Sequence, residues 1–182
     1  MDKSVFLWLQ YPDLVVLMKA IFLGTGTSVG IPVIGCHCPV CKSTDPCNKR
    51  RRTSLYLEAA GTSIVVDTPP DFREQALQFK LPRVDAVLFT HSHADHIFGL
   101  DDIRRFNTIQ DSIIPAYAHP DTTADLRRIF NYIKLEKTHG VYRPRIDFKE
   151  ISGPFDIGGL HVEPFKVIHD PTTTLGFKFE RE

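Results

Sequence analysis

The chain has 182 residues, 42% of them hydrophobic and 24% charged, enough for one domain with a sizeable core. Its 22 basic and 22 acidic side chains cancel, so no overall field gathers nucleic acid or anionic lipid. The apolar run at residues 5–9 is too short to span a bilayer, and the start lacks the basic segment and long apolar core of a signal peptide.

Residues 1–17 read as an upstream extension, with a natural beginning at Met18. Residues 19–23 predict a strand running into Gly24-Thr25-Gly26-Thr27. This is no dinucleotide fingerprint, because the third glycine position falls on Val29 and no helical pattern follows. The basic run Lys49-Arg50-Arg51-Arg52 reads as a solvated loop rather than a phosphate or RNA contact. Residues 55–58 and 64–66 predict a hairpin. Asp67-Thr68-Pro69-Pro70 ends the second strand, and Asp71 should cap a helix over 72–79 with Glu74 at the reciprocal capping position. Residues 84–90 predict a strand buried on both faces. A helix follows over 99–106, a strand over 115–118, and an amphipathic helix over 122–133 with Leu126, Ile129, Phe130 and Ile133 on one face. Residues 148–151, 155–157 and 160–165 predict successive antiparallel strands, and 173–179 one more. This order indicates layered α/β packing around sheets.

All four cysteines fall between positions 36 and 47. Clustered thiols in a chain of this size point to metal rather than to a disulfide scaffold, and to a reducing, cytoplasmic location. Cys36, Cys38 and Cys41 offer a tight bite for one structural zinc, and Cys47 is close enough in sequence to be a fourth ligand.

His91-Ser92-His93-Ala94-Asp95-His96 places four candidate ligands in six residues at the end of the buried strand. In an extended loop His91 and His93 point the same way, toward one ion, while Asp95 and His96 turn toward a second. Two such ions can clamp the attacking and leaving oxygens and generate hydroxide at neutral pH. On spacing alone, His169 after residues 165–168 is as readily a core or surface histidine as a ligand. His37, His119, His139 and His161 read as non-ligands.

The H-x-H-x-D-H motif at 91–96 resembles the signature of the metallo-β-lactamase superfamily. The stretches at 18–28, 30–41, 52–54, 66–73 and 99–107 are similar to one branch of it, that of the phosphoribosyl cyclic phosphate phosphodiesterase of phosphonate breakdown (PhnP-like). The likeness runs from Met18 to the last residue. It implies an α/β (α+β four-layer) αβ/βα sandwich with the second half incomplete, and a metal-dependent phosphodiesterase using a metal-activated hydroxide. The substrate would be a small cyclic or nucleotide-like phosphate. RNA 3′-end processing in the manner of tRNase Z, or an inactive metal-binding fragment, are the alternatives. The resemblance further implies that His91, His93 and His169 hold one zinc or manganese ion and Asp95 and His96 the other. Asp95 would orient the hydroxide and Asp67 would brace the loop. Arg104 or Arg105 would approach a substrate phosphate, or else make surface ion pairs. For the thiolate zinc the resemblance replaces Cys47 by a histidine beyond residue 182, where a bridging aspartate and a last histidine ligand are also expected. Pro69 stands where the family has glycine. Small phosphodiesters are the expected partners, membrane and nucleic acid are not, and a homodimer is left open.

Overall fold

The computed structural model describes residues 4–9, 16–136, 142–169 and 173–181; His139 and Asp170-Pro171 lie outside them. Among the described residues, ten strands form two sheets. The larger contains β1 (Ser4–Leu9), β2 (Val16–Gly24), β3 (Ser54–Ala59), β4 (Thr62–Val66), β5 (Ala86–Leu88), β6 (Ile114–Ala118) and β7 (Ile146–Glu150), side by side in chain order. Strands β1 to β4 are mutually antiparallel and β4 to β7 parallel. The smaller sheet has β8 (Phe155–Ile157), β9 (Leu160–Val167) and β10 (Thr174–Arg181), all antiparallel, with β9 central. The expected meander over 148–165 is therefore corrected: β7 joins β6 in parallel, and only the strands after it form the antiparallel set.

The expected β3–β4 hairpin is present, and Ala60 and Gly61 both take positive φ (50° and 74°) at its turn. That pairing matches the right-handed twist of the flanking strands. The layers follow from the alternation of side chains along each strand. Val65, Val87 and Phe89 face a core shared with the helices, through Phe72, Ile97, Leu100, Ile103, Phe106 and Leu126. Their neighbours Ile64, Ala86 and Leu88 face Ile157, Leu160 and Val162 of the small sheet. Tyr117 of β6 stacks on Phe155 of β8 at 4.7 Å between ring centres. One mixed sheet thus lies between helices and a second sheet, and β5 is apolar throughout because both its faces are covered.

The helices are α1 (Pro39–Lys42), α2 (Phe72–Phe79), α3 (Ala94–Ile97), α4 (Arg104–Gln110) and α5 (Pro120–Ile129). Helix α2 has the expected bounds, but its expected capping box is absent. Asp71 makes no side-chain bond to the helix. Its carboxylate accepts from the Arg52 amide (2.8 Å) and guanidinium (2.9 Å), while Glu74 pairs with Arg73. The helix expected over 99–106 is a 3-10 turn, Leu100–Ile103, running into α4. Helix α5 begins and ends earlier than expected, although Phe130 and Ile133 beyond its end are still buried.

Candidate metal centre

The histidine loop leaves the C-terminal end of β5, beside the end of β4 that carries Asp67. Loops at the carboxyl ends of parallel strands converge on a crevice, and here they are laced together. The Asp67 amide donates to the Leu88 carbonyl (2.9 Å), the Thr68 amide to the His96 carbonyl (2.7 Å), and the Gly99 amide to the Thr68 carbonyl (2.8 Å). Asp67 takes φ +60°, at a cost of about 1 kcal/mol for a residue with a Cβ, and the Ser54 hydroxyl holds its carbonyl at 2.8 Å. This strained turn aims the 2%-exposed carboxylate at the loop.

The hydrogen bonds around that carboxylate fix the imidazoles. Asp67 accepts from the Thr90 amide (2.9 Å), the Thr90 hydroxyl (2.8 Å) and His96 Nδ1 (2.7 Å). The single hydroxyl proton of Thr90 is committed to Asp67, so toward His91 Nδ1, 2.9 Å away, its oxygen accepts. His91 therefore carries its proton on Nδ1 and a bare lone pair on Nε2, and His96 likewise. Orientation of ligand imidazoles through the far nitrogen is how metal sites are commonly tuned. His91 is 4% exposed, and its Nε2 is buried without any hydrogen-bond partner. Burial first, and then the neighbouring His96, His93 and His169, hold its pKa down to about 4, so the ring is neutral at neutral pH. A buried nitrogen with no partner costs free energy unless something accepts its lone pair.

What it faces is a ring of donors. One ligand atom from each of His91, His93 and His169 lies within 4.8 Å of the others. The His169 ring centre is 5.2 Å from that of His91 and 5.3 Å from that of His93. His91 forms the floor of the cluster, while His93 and His169 are exposed at its mouth. His96 packs 4.1 Å from His91, ring centre to ring centre, and its Nε2 lies 3.3 Å from an Asp95 carboxylate oxygen. A divalent ion fits the three histidines, and it would satisfy the orphaned Nε2. Asp95 and His96 offer a nitrogen and an oxygen to a second ion. Ser92, alternating with His91 and His93, points away and donates to Asp125 of α5 at 2.7 Å, so the loop is fixed from both sides.

Cys36, Cys38 and Cys41 also bring their sulfurs within 4.8 Å of one another at the start of α1, whereas Cys47 is outside this group. The Cys41 amide donates to Cys38 Sγ and the Val33 amide to Cys41 Sγ, each at 3.4 Å. The first of these, with the Cys36 and Cys41 thiols, lowers the Cys38 pKa and favours its thiolate. Three thiols held this way fit a zinc ion. Arg104 is engaged elsewhere: its guanidinium pairs with Asp101 at 2.7 Å and lies over the Tyr142 ring, and Arg105 is exposed on α4. Among the histidines expected not to bind metal, His119 caps α5 by accepting from the Asp121 amide, and His161 pairs with Asp156 at 2.6 Å. Thr90 and the Ser92–Asp125 latch were not singled out from sequence. A threonine ending a strand is too common to mark one that orients a ligand.

Residues 62–182 match the beta-lactamase superfamily domain. The chain is 40% identical over 164 residues to an octanoyltransferase of Porphyromonas gingivalis, covering 88% of this chain and 33% of that protein. It is 28% identical over 169 residues to a ribonuclease Z of Bradyrhizobium diazoefficiens, covering 87% and 48%. A crystal structure of a diphosphatase from the PhnP family superposes with a TM-score of 0.80 at 37% identity, over 89% of this chain and 61% of that one. The chain thus spans a third to about half the length of these curated relatives. With the motif, the two-sheet architecture and the family match in agreement, the chain belongs to the metallo-β-lactamase superfamily.

Proposed function

We propose that this chain carries the reaction centre of a metal-dependent hydrolase that cleaves a phosphodiester of a small cyclic or nucleotide-like phosphate. The observation that carries the metal dependence is the unpartnered Nε2 of buried His91, converging with His93 and His169. Bound divalent ions supply Lewis acidity and a water of low pKa at such a centre. The residues of the chain do the rest. His91, His93 and His169 hold one ion, His96 and Asp95 the other. Asp67 and Thr90 keep the lone pairs of His91 and His96 directed inward. The Asp95 carboxylate, 3.3 Å from His96 Nε2, would orient the attacking hydroxide toward phosphorus. Zinc or manganese suits this nitrogen and oxygen set. Cys36, Cys38 and Cys41 hold a structural zinc, and a reducing cytoplasm suits their free thiols.

Reaction at phosphorus is supported by two of the relatives, one named a diphosphatase and one a ribonuclease. RNA 3′-end processing is the second reading, favoured by the ribonuclease Z likeness and opposed by the balanced charge. The test is hydrolysis of bis-p-nitrophenyl phosphate by zinc- and manganese-loaded protein, followed by comparison of cyclic phosphates with an RNA carrying a 3′ extension. Turnover that vanishes in His93→Ala and favours cyclic phosphates supports the first reading. Preference for the RNA selects the second, and no metal-dependent turnover of any phosphodiester defeats both.

A further inference from the structure

A second cleft lies where the loop after β2 meets the segment leading into β3. It encloses about 520 Å³. Four cations line it, Lys49, Arg50, Arg51 and Arg52, against one carboxylate, Asp71. That carboxylate is already committed, since Arg52 occupies it through both guanidinium and backbone amide. Arg52 also donates to the Ser28 carbonyl at 2.7 Å, which makes it a structural tie. Among the described residues, the Arg51 guanidinium reaches the neutral Gln78 amide and the Arg50 guanidinium the Cys47 carbonyl at 3.4 Å. Among the described residues, no carboxylate forms an ion pair with Lys49, Arg50 or Arg51. In a chain of zero net charge, three cations with no ion pair among the described residues thus share one concavity.

Its apolar lining is equally unspent. Phe22 is 45% exposed and Val29 55% exposed. The walls are fixed rather than loose. Gly26 donates to the Arg51 carbonyl at 2.7 Å, and Ile31 and Arg50 exchange two backbone bonds of 2.8 Å. A Cβ on Gly24 would meet the Arg52 carbonyl at 1.9 Å, and one on Gly26 the Arg50 carbonyl at 2.6 Å, so only glycine allows this lacing. A merely solvated basic loop needs neither a laced frame nor an aromatic ring left in water.

We propose that this cleft binds a phosphorylated ligand with an aromatic body, of the nucleotide class. Its phosphates lie against Lys49, Arg50 and Arg51, and its ring against Phe22 and Val29. Guanidinium forks match phosphate oxygens, and exposed aromatic faces take up bases by stacking. The cleft lies at the same end of the large sheet as the metal loop: Gly24 pairs with Ser54, whose hydroxyl donates to the Asp67 carbonyl. The assignment stands on the cleft alone and does not depend on the proposed hydrolysis.

The experiment is calorimetric titration of the full, metal-loaded chain with ADP, inorganic phosphate and a single-stranded RNA oligonucleotide. ADP should bind the unaltered chain, and the combined Lys49→Glu, Arg50→Glu, Arg51→Glu variant should bind it at least about tenfold more weakly. Lys49 and Arg50 are exposed and Arg51 is half-buried, and circular dichroism of the variant should match that of the unaltered chain. Phe22→Ala should weaken ADP while leaving phosphate unchanged. Lys134→Glu, on another part of the surface, should leave ADP binding intact. Absence of ADP binding, or equal binding by the triple variant, would overturn the proposal. RNA that binds through these cations while ADP does not would overturn the nucleotide assignment and give the cleft to a polynucleotide.

Discussion

Asp67 shows how few atoms decide whether imidazoles can serve as ligands. One buried carboxylate receives three hydrogen bonds, and two of them set the tautomers of His91 and His96, directly or through Thr90. Thr90→Val keeps the shape but removes the acceptor of His91 Nδ1. Metal affinity should fall about 10- to 100-fold, as for other residues that orient ligands from behind, measured by competition with a chelator. Asp67→Asn should have a similar effect on the ion at His96, with smaller change at the three-histidine site; equal loss at both would mean that Asp67 acts only by holding the fold. For the thiolate cluster, Cys38→Ser should remove about one equivalent of zinc and Cys47→Ser none, read by elemental analysis. Loss in both would assign Cys47 as the fourth ligand.

The elements around the centre depend on close approach of backbone to backbone. Gly99 follows α3 at the point where the chain crosses the Thr68-Pro69 turn, and a Cβ there would meet the Pro69 carbonyl at 2.1 Å and Phe72 Cβ at 2.7 Å. Gly99→Ala should destabilise by about 2–3 kcal/mol through overpacking, seen in denaturant titration. Because α3 carries Asp95 and His96, turnover should fall even under folding conditions. Local sequence was a good guide to such elements where the pattern is itself local. The β3–β4 hairpin, α2 and the apolar β5 were all legible. It failed where a distant residue competes. Asp71 looked like a cap because Glu74 stands three places on, yet Arg52, 19 positions upstream, takes its carboxylate. The stripe over 122–133 read as one helix because Phe130 and Ile133 stay in the core, although the backbone has already turned. Arg104 could have been read as a phosphate contact or a surface pair, and Asp101 accounts for its charge.

Across the molecule, the candidate centre draws on both sheets. His91 and His93 follow β5 of the large sheet, whereas His169 follows β9 of the small one, and the Leu175 amide of β10 donates to the Thr90 carbonyl at 2.9 Å. An ion on these three histidines therefore bridges the sheets, and it stabilises the chain by binding the folded form alone. Removing metal should lower the melting temperature and raise amide exchange in β8 to β10 more than in β3 to β6. His169→Ala should abolish that metal-dependent difference. An unchanged exchange pattern on chelation would show that the sheets are joined by packing alone. Sequence could not have revealed this sharing by spacing, since 76 positions separate His93 from His169; the superfamily resemblance alone pointed to it. Nor could alternation show that β7 closes the first sheet while β8 opens the second, because strands of either sheet bear the same pattern.

The side-by-side order of β1 to β7 also has a meaning in time. Each strand of the large sheet is laid against the one made just before it, so the sheet can grow from one edge while the polypeptide is still leaving the ribosome. Such nearest-neighbour assembly keeps loop-closure entropy small. His169 follows β9, so the third ligand of the cluster is translated later than every strand of the large sheet, and the three histidines come together only once the small sheet lies against the large one.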